Sequence, residues 1–220
     1  MSLPPPLPVP ESRSIDVGTL ALNVLDYGNR GAPPLIVLHG HTDLAWSWDH
    51  ISGRLAARFR VLAPDLRGHG DSQRGSYGLA HQMADLKGLI EAEGLVQPTI
   101  VAHSLGGQIA AQFAGTFPDV VSRMVLVESI GPPRASHHGP EAWQAIMRQR
   151  VNLAAAPTRQ RVMPDLADAK ERFGRANPHL DSGLRDFVVM KNTRDADGGV
   201  VWKFDPRTRE WLLLHDHTRA

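Results

Sequence analysis

Four short apolar runs constrain what this chain can fold into. They are Leu35-Ile36-Val37-Leu38, Val61-Leu62-Ala63, Thr99-Ile100-Val101-Ala102 and Met124-Val125-Leu126-Val127. None shows the polar alternation of a strand with one wet face, so each reads as a strand covered on both faces. Between them, apolar residues recur at helical spacing: Trp48, Ile51 and Leu55, then Leu79, Met83, Leu86 and Ile90, then Ile109, Phe113 and Phe117. Thr42 or Asp43 is expected to cap the first of these helices, Gly94 to stop the second and Pro118 the third. Buried strands alternating with amphipathic helices predict an α/β fold with a mostly parallel, helix-flanked sheet. Sites in such sheets lie beyond the carboxyl ends of the strands. His41, Asp65, Ser104 and Glu128 all fall there.

The third run passes straight into His103-Ser104-Leu105-Gly106-Gly107. That is strand, sharp turn, helix, with Ser104 at the apex. It approaches the G-x-S-x-G nucleophile elbow, with Ala102 in place of the first glycine. A tight turn exposes the hydroxyl and aims the Leu105 N–H, at a helix N-terminus, towards a developing oxyanion. The small residues Ala102, Gly106 and Gly107 let strand and helix approach closely. The plainer reading is a glycine-rich β–α turn with an incidental serine.

A length of 220 residues suits one buried domain, or one domain carrying an insertion. The net charge of +1 argues against nucleic acid or an anionic membrane as an obligatory partner. The absence of cysteine excludes disulfides and a thiolate nucleophile. Nothing approaches the roughly 20 apolar residues of a membrane span, and no signal segment opens the chain, so a cytoplasmic location is expected. The histidines lack the helical pair, with glutamate, of a zinc protease, and neither a metal nor a cofactor is expected. Oligomeric state is left open.

The chain divides by composition. Residues 1–14 hold five prolines and read as a disordered tail. Residues 15–130 form the core, beginning with a hairpin that turns near Gly18. Residues 131–206 read as a helical lid, with helices over 141–153, 165–173 and 184–191 and an extended piece at 200–204. Residues 207–220 form a tail.

Three motifs now stand in order on the right elements: His39-Gly40, the Pro64-Asp65-Leu66-Arg67-Gly68-His69-Gly70-Asp71-Ser72 loop, and His103-Ser104-Leu105-Gly106-Gly107. Together they resemble the α/β-hydrolase fold superfamily in its lidded, serine esterase-like branch, over about residues 15–206. The resemblance implies an α/β-hydrolase core at 15–130 acting on a small ester-like or related acyl substrate through an acyl-enzyme. It implies Ser104 as nucleophile, with the backbone N–H groups of Leu105 and His41 as oxyanion hole. The His41 ring would line the acyl pocket. A serine rather than an aspartate at the apex argues against the epoxide hydrolase and haloalkane dehalogenase branches. Asp65 and its loop are expected to organise hydrogen bonds, His103 to pack behind the elbow, and His69 and His81 to be surface or loop residues.

The triad order in this fold is Ser, then Asp or Glu, then His. After the lid no aspartate follows a buried strand, and no Gly-His appears. The expectation is a chain truncated at its C-terminus, lacking the last strands and the triad histidine. Its activity and solubility would be low, and residues 124–127 would form an open apolar edge. The alternative is a compact triad of Ser104, Glu128 as acid and His215 (or His217) as base, with Trp211-Leu212-Leu213-Leu214 as a further strand. A different class is a non-catalytic, hydrolase-like protein that binds a small ligand.

Overall fold

The computed structural model describes residues 7–129, 144, 148, 151–152 and 160–209. A six-stranded sheet runs β1-β2-β4-β3-β5-β6. β1 (Glu11–Asp16) and β2 (Ala21–Asp26) pair antiparallel, and β2 lies antiparallel to β4 (Arg60–Pro64). β3 (Pro34–Leu38), β4, β5 (Thr99–His103) and β6 (Arg123–Val127) are parallel.

The apolar runs are explained by the two faces of this sheet. Ile36, Leu38, Leu62, Ile100 and Ala102 meet one cluster, with Leu86, Leu89 and Ile90 of α2 (Leu79–Ala92) and Leu105, Ile109 and Phe113 of α3 (Ser104–Thr116). The alternate residues Leu35, Val37, Val61 and Ala63 meet a second, with Trp48 and Leu55 beside α1 (Asp49–Leu55). Successive side chains point to opposite faces, and both faces are covered, so no polar position survives.

β6 departs from this. Among the described residues it is the sheet's edge, and Met124, Val125, Leu126 and Val127 are 39–54% exposed. The open apolar edge is therefore present.

The N-terminal boundary is earlier than expected. β1 starts at Glu11, so residues 11–14 of the supposed tail are strand. Arg13 anchors them, pairing with the buried Asp26 at 2.6 Å and Glu93 at 2.9 Å. The start of α1 also differs. A 3₁₀ turn, Ala45–Trp48, precedes it, and the residue before that turn is Leu44. The Thr42 hydroxyl donates to the His41 carbonyl and Asp43 accepts from the Ser47 hydroxyl, so neither caps the helix. A 3₁₀ turn advances about 120° per residue rather than 100°, which rotates the stripe and leaves Ile51 47% exposed.

Residues 160–209 pack as a smaller unit. α4 (Leu166–Ala176) is capped by Asp165, and α5 (Ser182–Asn192) by Asp181. A hairpin follows, β7 (Thr193–Ala196) and β8 (Gly199–Trp202), turning at Asp197-Gly198 with Gly198 at φ +81°. The helical expectation missed this hairpin because β7 reads Thr-Arg-Asp-Ala, with no apolar run. Met163, Ala169 and Val189 form the unit's own core, with Phe173 and Trp202 packed on it. The expected helix over 141–153 lies mostly outside the described residues, of which 144, 148, 151 and 152 are helical. Residues 210–220, with His215 and His217, lie outside them.

Candidate active site

The chain leaves β3 for β4 on one side and returns to place β5 on the other. The loops after β3 and β5 therefore diverge and open a crevice at their carboxyl ends. Ser104 stands at that crevice, where β5 meets α3, with φ +46°. A left-handed backbone at a residue with a Cβ costs roughly 1–2 kcal/mol and persists only when its surroundings fix it.

Those surroundings are close-packed. Ala102 is fully buried, between Leu38 and Leu126 in the ladder. A Cβ on Gly106 would stand 2.7 Å from the carbonyl oxygens of Leu38 and His39, and the Gly106 N–H donates to the His39 carbonyl at 3.2 Å. A Cβ on Gly107 would collide with the Ser129 side chain. The two glycines thus let the helix start sit directly on β3 and on the end of β6.

The loop after β3 is held by histidines used as connectors. His39 Nε2 accepts from the Leu66 N–H at 2.9 Å, so Nδ1 carries the proton and donates to the Gly40 carbonyl at 2.7 Å. His69 Nε2 accepts from the Thr42 N–H at 3.2 Å, and Nδ1 donates to the Arg67 carbonyl at 3.1 Å. Burial holds His69 well below the usual imidazole range. His69, expected as a surface or loop residue, lies in the loop after β4 but is 1% exposed, because the backbone groups of two loops satisfy both ring nitrogens. His81 is exposed, though on α2 rather than in a loop. Asp65 joins the strand ends, accepting from Asn23 Nδ2 and the Ala45 N–H at 2.8 Å and the Asp71 N–H at 3.0 Å. Burial raises its pKa, and these three donors oppose that.

His41 follows, and Thr42 after it has φ +62°, rare for a β-branched residue. The His41 ring reaches the 160–209 unit. Its Nε2 lies 3.1 Å from Thr208 Oγ1, in the 3₁₀ turn Pro206–Arg209, and burial lowers its pKa. Asn192 Nδ2, at the end of α5, donates to the Thr42 carbonyl at 3.4 Å. The same turn is anchored on the core: the Asp205 N–H donates to the Gly68 carbonyl at 2.7 Å and its carboxylate accepts from Tyr77 at 2.8 Å.

His103 is half-buried beside the elbow, with its ring 6.4 Å from that of Trp48. Glu128 follows β6 with φ +48°; its side chain is 85% exposed, and Oε2 lies 3.9 Å from His103 Nε2. So Ser104, His41, Leu105 and Glu128 share one end of the sheet, whereas His215 is not among the described residues. Sequence reasoning missed Thr208, Asn192 and Tyr77, whose only signal was the Asp205-Pro206 turn. A cavity lined by Leu38, Arg67, Asp85, Leu86 and Ile109 has none of Ala102, Ser104, Leu105, Gly106 or Gly107 in its lining. No group of three or more His, Asp or Glu suited to a metal ion occurs among the described residues.

Several known proteins are similar to this chain in sequence or fold. The thioesterase domain from the curacin biosynthetic pathway superposes with a TM-score of 0.80 at 25% identity, over 93% of this chain and 73% of that one. The mouse sn-1-specific diacylglycerol lipase ABHD11 is 36% identical over 191 residues, 84% of this chain and 59% of the lipase. Epoxide hydrolase A of Mycobacterium tuberculosis is 34% identical over 131 residues, 57% of this chain and 41% of that enzyme. Matches to curated relatives span less than two thirds of those proteins' lengths, 30% for the 41%-identical mycobacterial protein and 63% for the mouse serine hydrolase-like protein. The model of the α/β hydrolase fold matches residues 33–182, more than half of the sequence, and the chain belongs to that family.

Proposed function

We propose that this chain carries the nucleophile and oxyanion hole of a serine hydrolase acting on a small ester-like acyl substrate. Ser104 Oγ attacks the acyl carbonyl, and its proton passes to a general base. The negative charge on the carbonyl oxygen falls to the N–H groups of Leu105 and His41. Collapse expels the leaving group, which takes up the proton, and water then hydrolyses the acyl-enzyme. The observation that carries the reading is the left-handed backbone of Ser104, held by Gly106 and Gly107 at the mouth of the crevice. A serine apex favours this chemistry over an epoxide hydrolase's, whatever the likeness to that branch.

The base is not His39 or His69, since both nitrogens of each ring are engaged with backbone. Glu128 as acid and His215 as base rest on the sequence argument. The exposed, solvated Glu128 carboxylate gains little from a low-dielectric setting, so the chain's own turnover is low in this reading. The lid spans residues 131–206 in this reading, and the part of it within the 160–209 unit is seated on the loops after β3 and β4. Among the described residues no helix is long and apolar enough to cross a membrane.

The test is labelling by a fluorophosphonate, with Ser104→Ala as control. Covalent labelling that maps to Ser104 is expected, together with weak ester turnover that His215→Ala lowers further if the compact triad operates. A chain that binds small esters but resists labelling is instead the non-catalytic binding protein.

A further inference from the structure

We propose that Thr208 is a positioning residue for the oxyanion loop, holding the His41 main chain in place through the His41 ring. The inference rests on the reading of His41 as an oxyanion donor. Thr208 is 1% exposed, and its hydroxyl has a single proton. That proton goes to the Asp205 carbonyl at 2.7 Å, within the 3₁₀ turn. At 3.1 Å from His41, Oγ1 must therefore accept, and His41 must carry its proton on Nε2. The contact fixes both the tautomer and the direction of the ring.

The loop needs this restraint. Thr42, the next residue, is β-branched with φ +62°, a conformation that relaxes unless neighbours over-determine it. Two restraints come from within the core, the Thr42 N–H to His69 and the Asp43 N–H to the Gly40 carbonyl at 3.3 Å. Two come from the 160–209 unit: Asn192 on the Thr42 carbonyl, and Thr208 on the His41 ring. The turn that bears Thr208 is itself tied down, by Asp205 to Gly68 and Tyr77 and by Lys203 to Asp71 at 2.8 Å. Seating of that unit thus completes the loop that presents one of the two oxyanion donors.

The test uses Thr208→Val, which keeps the shape and removes the hydroxyl, and Thr208→Ser, which restores it, in the full chain. The readouts are ¹⁵N relaxation dispersion at the His41 and Thr42 amides and the rate of fluorophosphonate labelling at Ser104. A whole oxyanion donor is worth on the order of 10²–10³ in turnover, and a loosened one should slow labelling about tenfold. The valine variant is expected to show that loss together with new microsecond-to-millisecond exchange at both amides. The serine variant should match the wild type in both. Wild-type behaviour of the valine variant, or failure of serine to restore it, overturns the proposal. If the wild-type chain is not labelled at all, the hydrolase reading fails on its own. The dispersion measurement then decides alone whether Thr208 holds the loop.

Discussion

Two glycines of α3 are not interchangeable, and Gly106→Ala and Gly115→Ala should move stability in opposite directions. At position 106 a Cβ would stand 2.7 Å from the Leu38 Cβ and from the carbonyl oxygens of Leu38 and His39. Ordinary contact begins near 3.4 Å, so the helix start must retreat by roughly 0.7 Å from the end of β3. Two of the three atoms are backbone and cannot swing aside. Over-packing of this kind costs about 1–3 kcal/mol, and weakening the Gly106 N–H to His39 bond adds about 1 kcal/mol. With a urea dependence near 3 kcal/mol/M, the midpoint should fall by about 1 M. At position 115 nothing lies within 4 Å of the new Cβ. There alanine brings only its helix propensity, about 0.5–1 kcal/mol, and the midpoint should rise by about 0.3 M. The five tryptophans give the fluorescence signal for urea titration. A Gly106→Ala protein as stable as the wild type would refute the close approach from which the elbow is argued.

Three further outcomes follow from the same contacts. Ser104→Gly should abolish labelling yet raise the urea midpoint by about 0.3 M, because the left-handed strain of about 1 kcal/mol leaves with the Cβ. Asp205 is buried, which raises a carboxyl pKa, but hydrogen bonds from Arg207 and Tyr77 outweigh this and hold it at about 2 against 3.8. A depressed folded pKa gives stability that is complete above the unfolded value and is lost as pH falls towards the folded one. Urea midpoints taken from roughly pH 5 to pH 2 should therefore drop in the wild type and drop less in Asp205→Asn. Val125→Lys places a charge on the exposed edge of β6, and should reduce light scattering on concentration while changing stability by no more than about 0.5 kcal/mol.

The centre of the sheet was legible because both faces of β3, β4 and β5 are covered, which leaves uninterrupted apolar runs. The elbow was legible for a related reason. Close approach of strand and helix demands small residues, and Ala102, Gly106 and Gly107 supply them in order. β1 and β7 were harder to see, since Glu-Ser-Arg-Ser-Ile-Asp sends one apolar side chain, Ile15, into the core and is otherwise held by backbone pairing and the Arg13 ion pairs, while Thr-Arg-Asp-Ala is held by backbone pairing. The burial of His69 was hidden because its partners are main-chain atoms, which leave no trace in residue type. Thr208 reaches His41 across 167 positions, and a threonine in a turn carries no mark of so distant a contact.

The small core around Met163, Ala169 and Val189 also bears on how the molecule comes apart. It is separate from the two clusters that flank the main sheet. Among the described residues, the seam to that sheet is largely polar, with aromatic contacts where Phe187 and Lys191 meet Trp46 and where Arg207 lies over the Tyr77 ring. A body with its own interior and a polar seam opens as one cooperative unit, at a lower free energy than global unfolding. Proteolysis under native conditions should therefore cut within 160–209 while the amides of β3 and β5 stay protected, and the oxyanion loop would loosen in each such opening.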